Sequence, residues 1–320
     1  MTKFVGRRGI FGLAKESSRG VGVSPTEWIP RVTASFEDKT DTAREAEALG
    51  RIEDSDSNHV LRRYAEGDVE FELNDRQIGM FLTSLIGASP TTTGGPTYAH
   101  TYTLANTNQH QSLSVYYEDP DINKLYKLAV VSSLEFVAEP DGIVRCTANL
   151  MSKGSNDWTN QTQAFTSIGN KFLQQHVQLK LASTIGGLSA ATALSLKSLN
   201  LTISANAEND NVLGTAEPED ILNHQFSVEG SLTLNKEDDT YRGYMLNGTY
   251  RAADLTFNRA SNSSLQFQFP RLDFTEWEQD RTLDDITSQT INFKGNYDAA
   301  NALAIISTCV LTNTYAGTNY

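Results

Sequence analysis

The most constraining feature is a strand–corner–helix unit at Tyr64–Gly87 whose pattern returns, weakened, at His224–Gly248. In the first copy Val69, Phe71 and Leu73 alternate with Asp68, Glu70 and Glu72, the period-two signature of a strand with one buried and one wet face. Asn74 and Asp75 stop the strand and are placed to cap a helix. Ile78, Phe81, Leu82, Leu85 and Ile86 then form one apolar stripe, ended by Gly87. In the second copy Phe226, Val228, Leu232 and Leu234 keep alternate positions around Gly230, which stands where Gly67 stands in the first. Asp239 precedes a shorter helix bearing Tyr241, Tyr244 and Met245, closed by Asn247-Gly248. Each unit follows an alternating strand (Val32, Ala34, Phe36; then Leu199, Leu201, Ile203) and an acidic loop, Glu37–Ser57 or Glu208–Asp220. A shared order of strand, acidic loop, strand, helix and strand implies one small fold used twice. Gly67 is expected to match Gly230, Val69 to match Leu232, and Phe71 to match Leu234.

At 320 residues the chain has room for two cores. The boundaries expected are an extended N-terminal arm at 1–27, a first domain at 28–155, a linker at 156–171 and a second domain at 172–320. The linker lies in the polar, aperiodic Met151–Gly169, where Trp158 is the only large apolar side chain. An arm with Phe4, Ile10, Phe11 and Leu13 either covers a partner surface or folds back on its own domain. Further strands are expected at Tyr98–Leu104, Ser112–Tyr117, Tyr126–Ala138, Ile143–Leu150, Ala253–Phe257, Leu265–Phe269 and Ile291–Phe293, with a turn at Pro140-Asp141-Gly142. The Thr42–Leu49 stretch has the composition of a helical turn or two. The class is mainly β.

A net charge of −13 disfavours a protein that grips nucleic acid, because that affinity comes from lysine and arginine on phosphates. No apolar run has the length of a signal peptide or a membrane-spanning helix, which points to synthesis in a cytoplasm and no membrane partner. No chemistry stands out. The histidines (His59, His100, His110, His176, His224) are scattered, Cys146 and Cys309 form no pair at metal-ligand spacing, and there is no phosphate loop, nucleophile elbow or dinucleotide fingerprint. The expectation is therefore a non-enzyme with no catalytic, cofactor or metal residues. Cys146, on the apolar side of its strand, is expected to be a buried thiol. The row Asp68, Glu70 and Glu72 either meets solvent or supplies a negative field beside a passing polyanion.

The order of several segments resembles the tail tube proteins of long-tailed bacteriophages: GLAKESSRGVGVSPTEWIP, YAEGDVEFELNDRQIGMFLTSLIG, YAHTYTL, SLEFVAEPDG, LNGTYRAADLTF and SLQFQFPRLDFTEW. The resemblance implies tandem β-sandwich tube domains, each with one flanking α-helix, whose sheets join between subunits into a β-barrel. It also implies stacked rings forming a hollow conduit for DNA ejection in the virion. The implied partners are further copies of the chain, a tape measure protein in the lumen, tail terminator and distal tail proteins at the ends, and DNA passing without sequence-specific binding. Because simple members look like one tube domain and this chain like two, three chains per ring are expected in place of six. Alternatives are a β-sandwich receptor- or carbohydrate-binding adhesin stacking sugars on Tyr116, Tyr117 or Trp277, and a membrane β-barrel. Against the barrel, the wet strand faces carry Asp, Glu, Gln and Thr where lipid requires an apolar band.

Overall fold

The computed structural model describes residues 3, 5–45, 47, 50–52, 57–119, 121–165, 169–283, 285–316 and 320. Its strands are β1 (Ile10–Lys15), β2 (Glu27–Ile29), β3 (Arg31–Ala34), β4 (Glu37–Arg44), β5 (Asn58–Glu72), β6 (Thr91–Gly94), β7 (Tyr98–Tyr102), β8 (Leu113–Asp119), β9 (Ile122–Ala138) and β10 (Arg145–Lys153). They continue as β11 (Ser155–Asp157), β12 (Val177–Ala182), β13 (Leu196–Ser204), β14 (Ala207–Asp210), β15 (Asp220–Asn223), β16 (Ser227–Asn235), β17 (Arg251–Ala260), β18 (Ser263–Asp280), β19 (Ser288–Gly295) and β20 (Thr308–Asn313). Two helices, α1 (Ile78–Ile86) and α2 (Thr240–Leu246), follow β5 and β16. The chain is mainly β, and all strands but β14 and β15 belong to one hydrogen-bonded sheet.

The organising unit folds as its pattern dictates. Val69, Phe71 and Leu73 are fully buried, and the alternating acids line the other face of β5. The corner is closed by Asn74, whose side-chain oxygen accepts from the backbone N–H of Arg76 (3.1 Å) and of Gln77 (2.8 Å). Gly87 ends α1 in the left-handed region at φ +95°. The helix differs from expectation in being covered on every side: all nine of its residues are buried, not one stripe. Strands β9, β1 and β7 pack on it, Phe81 stacks on Phe71 with centroids 4.8 Å apart, and the Tyr320 ring lies over Gly79. In the second unit α2 buries no residue and leans on Phe274 through Tyr241 and Tyr244. Its corner is held by Asp238, which accepts from Thr240 N–H at 2.9 Å, whereas Asp239, the expected cap, pairs with Lys236.

Pairing order recurs in detail. One series runs β3–β5–β10–β9–β8–β1 and the other β13–β16–β19–β18–β17–β12, all antiparallel. Register recurs with it, since Val69 opposes Ala148 as Leu232 opposes Ile291, and Leu13 opposes Val115 as Leu181 opposes Ala253. Irregularities fall at matching places as well. The β10–β9 ladder shifts between Asn149 and Leu150, and the β19–β18 ladder shifts as it passes from Asn292↔Glu276 to Phe293↔Phe274. Shifts at Arg31/Thr33 and Leu113/Val115 are answered by shifts at Leu196/Ser198 and Arg251/Ala253. Such bulges bend a strand and fix its register, so their recurrence is a stronger likeness than strand order alone.

The sheet has no break at 156–171. Residues 133–138 of β9 pair with β13, and β7 pairs with β20, so two ladders tie residues before the expected linker to residues after it. A single hydrophobic cluster takes in Phe71, Phe81, Phe136, Leu201, Phe257 and Phe267. Trp158 packs against the small cluster of Trp28, Tyr116 and Leu125. Among the described residues no sheet closes on itself.

Two local expectations are corrected. The stretch 1–27 is not a free arm from Ile10 onward, because β1 pairs with both β8 and β2 and buries Phe11 and Leu13. The buried Glu16 carboxylate follows it, satisfied by Ser112, Ser114 and the N–H groups of Gly20 and Leu128. Thr42–Arg44 is strand rather than helix, its backbone pairing with β5, while residues 46, 48 and 49 of the expected turn lie outside the described residues. The Glu208–Asp220 loop also touches its own chain: the Ala216 carbonyl accepts from Arg63 N–H (2.7 Å), and Asp220 meets Arg19 (2.7 Å) and Gln109 (2.6 Å).

Candidate functional site: the polar face and open edges of the wall

Eight strand segments lie side by side in the order β3/β4, β5, β10, the C-terminal part of β9, β13, β16, β19 and the C-terminal part of β18. One face of this wall is core, because alternate residues such as Phe71, Cys146, Phe136, Leu201, Leu232 and Ile291 are buried. The other face is a polar carpet cross-linked from strand to strand. Asp68 accepts from Asn149 (2.8 Å), Glu70 from Arg145 (2.7 Å) and Thr33 (3.1 Å), and Glu72 pairs with Lys171. Further along, Asn200 donates to Glu135 (2.7 Å), Lys294 to Glu229 (2.6 Å) and Asn292 to Glu276 (2.7 Å).

The predicted row Asp68, Glu70 and Glu72 is thus on one face, but two of its members are ion-paired. Exposed pairs of this kind contribute at most about 1 kcal/mol to stability. Their greater effect is on the field, since Arg145 and Lys171 locally offset Glu70 and Glu72. Glu135, Glu276 and Glu278 extend the same face in the acidic direction, whereas Lys294 offsets Glu229, and the strand alternation of β9, β16 and β18 already carried that signal in the sequence.

The wall has two open edges. Among the described residues, β3 and β4 pair with β5 on one side only, and residues 273–280 of β18 pair with β19 on one side only. Charged side chains stand along both: Glu37, Asp38 and Lys39 on one, Glu276, Glu278, Asp280 and Arg281 on the other. Charge on an edge strand suppresses indiscriminate pairing while leaving the backbone groups available.

Among the described residues no group of His, Cys, Asp and Glu is arranged to hold a metal ion. Cys146 and Cys309 are both buried, and burial pushes each thiol well above its ordinary pKa, so neither is a nucleophile at neutral pH. His100 and His110 are buried within hydrogen-bond networks. Tyr116 is fully buried, its hydroxyl donating to Glu118 at 2.6 Å, and burial together with that carboxylate raises its pKa to about 12. The Tyr117 ring carries Arg31, and Trp277 donates to Gln289 (2.9 Å) beneath Lys236 and Arg242. None of these three offers an open platform on which a sugar ring would stack.

The wall is thus a broad acidic face bounded by charged edge strands. A family model described as phage tail tube protein matches residues 6–295, a span that takes in the whole wall. The chain belongs to the phage tail tube protein family. No curated protein matches it. As a tail tube protein it is a structural component of the virion tail, and its β-rich architecture is that of a building element.

Proposed function

We propose that this chain assembles into stacked rings of the phage tail tube, three chains to a ring with pseudo-sixfold symmetry, and that the acidic wall face lines the DNA conduit. The observation that carries this is the β9–β13 ladder, where the last wall strand of one series pairs with the first wall strand of the other. The same kinds of strand, β18 and β3/β4, stand open at the two ends of the wall. A heterologous contact of this form closes into a ring when its rotation divides a full turn. If each series occupies one of six equivalent positions, three chains complete the circle. The two series would then be the same fold twice, with the seam inside a chain serving as the pattern for the seam between chains.

A duplex crossing an acidic lumen meets no lattice of lysine and arginine to hold its phosphates, and so slides. The lumen would first contain a tape measure protein, with tail terminator and distal tail proteins closing the ends of the stack, all assembled in the host cytoplasm. Native mass spectrometry of dissociated tubes, or the rotational symmetry in electron microscopy, tests the stoichiometry. Three chains per ring are expected, and six would overturn the pseudo-sixfold arrangement.

A further inference from the structure

The geometry points to a specific register for the seam between chains: Ala34–Lys39 of one copy lies antiparallel to Glu276–Arg281 of the next, with Glu37 opposite Glu278. The inference rests on the ring reading above and takes it to the level of residue pairs. Ala34 opposes Val69 as Leu199 opposes Leu232, which makes Ala34 the counterpart of Leu199. Ser133 opposes Asn149 as Glu276 opposes Asn292, which makes Glu276 the counterpart of Ser133. Within the chain, Leu199 pairs with Ala138, Thr202 with Glu135 and Ser204 with Ser133. Carrying each partner to its counterpart sets Ala34 opposite Arg281, Glu37 opposite Glu278 and Lys39 opposite Glu276.

Strand direction is consistent, because eight antiparallel neighbours leave the two outer strands of a wall running oppositely, as the next antiparallel contact requires. Continuity of the receiving edge is consistent too: Ser35 bridges β3 and β4, its N–H donating to the Asp68 carbonyl (2.8 Å) and its hydroxyl accepting from Asp68 N–H (3.0 Å).

The two seams differ in chemistry. The seam within the chain buries Leu199, Leu201, Ile203, Leu134 and Phe136 on its core side. At the matching places the seam between chains sets Phe36, already buried against Tyr126 within its own chain, opposite Gln279, and the exposed Asp38 opposite the half-buried Trp277, so it is less apolar than the seam within the chain. On its polar side Lys39 faces Glu276 favourably, while Glu37 faces Glu278 and repels it. Directly opposed like charges weaken a strand pair. Screening by salt therefore favours closure of this seam.

The test is disulfide trapping in the full chain. Directly opposed residues of an antiparallel pair have Cβ atoms about 4.5–5.5 Å apart, near the reach of a disulfide. Cys146 and Cys309 are buried and do not interfere. After oxidation of assembled Glu37→Cys/Glu278→Cys protein, a non-reducing gel is expected to show a ladder of linked chains that ends at three. Glu37→Cys/Gln279→Cys, whose second thiol sits on the other face, is expected to link at least tenfold less. Rings or tubes seen by electron microscopy without Glu37–Glu278 linkage would overturn the register and leave the tube reading standing, as would equal linkage by the offset pair. A ladder running to six would uphold the register and overturn the three-chain ring. Protein that forms neither rings nor links at high concentration and high salt would overturn both.

Discussion

Gly230 lies directly beneath the Phe293 ring: a Cβ built on the glycine would sit 2.6 Å from the Cζ of Phe293. The two residues face each other across the β16–β19 ladder, on the core side of the wall. At the matching place in the other series Gly67 opposes Leu150, and there a Cβ would meet the backbone of Phe36 at 2.6 Å. The same position is thus reserved for glycine twice, at Gly230 by the Asn200 carbonyl oxygen together with the Phe293 ring, and at Gly67 by a crossing backbone.

The two glycines therefore predict unequal costs. Both glycines meet backbone, but Gly230 has no left-handed φ to add to the clash with the Asn200 carbonyl oxygen and the Phe293 ring, so Gly230→Ala is expected to destabilise by about 1–3 kcal/mol. Gly67 has φ +151°, a conformation unfavourable for other residues, and its obstruction is backbone. Gly67→Ala should cost more than Gly230→Ala in chemical denaturation of the isolated chain. The opposite ranking would show that the Phe36 crossing is looser than the contact distance implies.

Helix α1 is held on all sides, so truncation within it leaves a cavity that little can fill. Phe81→Ala is expected to lose about 3–5 kcal/mol and Leu85→Ala about 2–5 kcal/mol, each residue being fully buried. Denaturant midpoints check this, and a loss below about 0.5 kcal/mol at either site is incompatible with the packing described.

His100 predicts a pH dependence. Its Nδ1 accepts from the Thr92 hydroxyl at 2.9 Å and its Nε2–H donates to Asn313 at 3.0 Å, an arrangement that suits the neutral ring. Burial holds its pKa below the ordinary value. The unfolded chain therefore takes up a proton first, near pH 6.5. Above that pH neither state is protonated and the residue adds no pH dependence. Below it, stability falls as the pH falls. The urea midpoint of the native chain should drop between pH 7.5 and pH 5.5, and the drop should be smaller in His100→Asn. Parallel pH profiles for the two proteins would mean that the ring is charged or solvated in the fold.

If the acidic face lines the conduit, replacing Asp68, Glu70 and Glu72 by Lys should slow genome ejection, and more so at low salt than at high salt. Asp68→Lys alone is the cleaner variant, because Glu70 and Glu72 also hold Arg145 and Lys171. Ejection rates that are unchanged at low ionic strength would put these residues away from the DNA path.

Local pattern by itself determined the mainly β class, the strand–corner–helix unit and its return, the pairing of Gly67 with Gly230 as special positions, and the burial of Cys146, Phe81 and Leu85. All of these follow from alternation, capping and turn chemistry within about a dozen residues of chain. Tertiary structure alone decided the rest. Phe11 and Leu13 read equally as an arm on a partner surface or one folded back on its own domain until β8 is there to pair with them. α1 has an apolar stripe in sequence, yet β7, β9 and Tyr320 cover its remaining faces from distant points in the chain. The β9–β13 and β20–β7 ladders cross the stretch expected to separate two domains, because hydrogen bonding between strands depends on which edges meet in space and leaves no periodic trace in either strand. For the same reason the charges of Glu70 and Glu72 are legible in the sequence, while their offset by Arg145 and Lys171 is not.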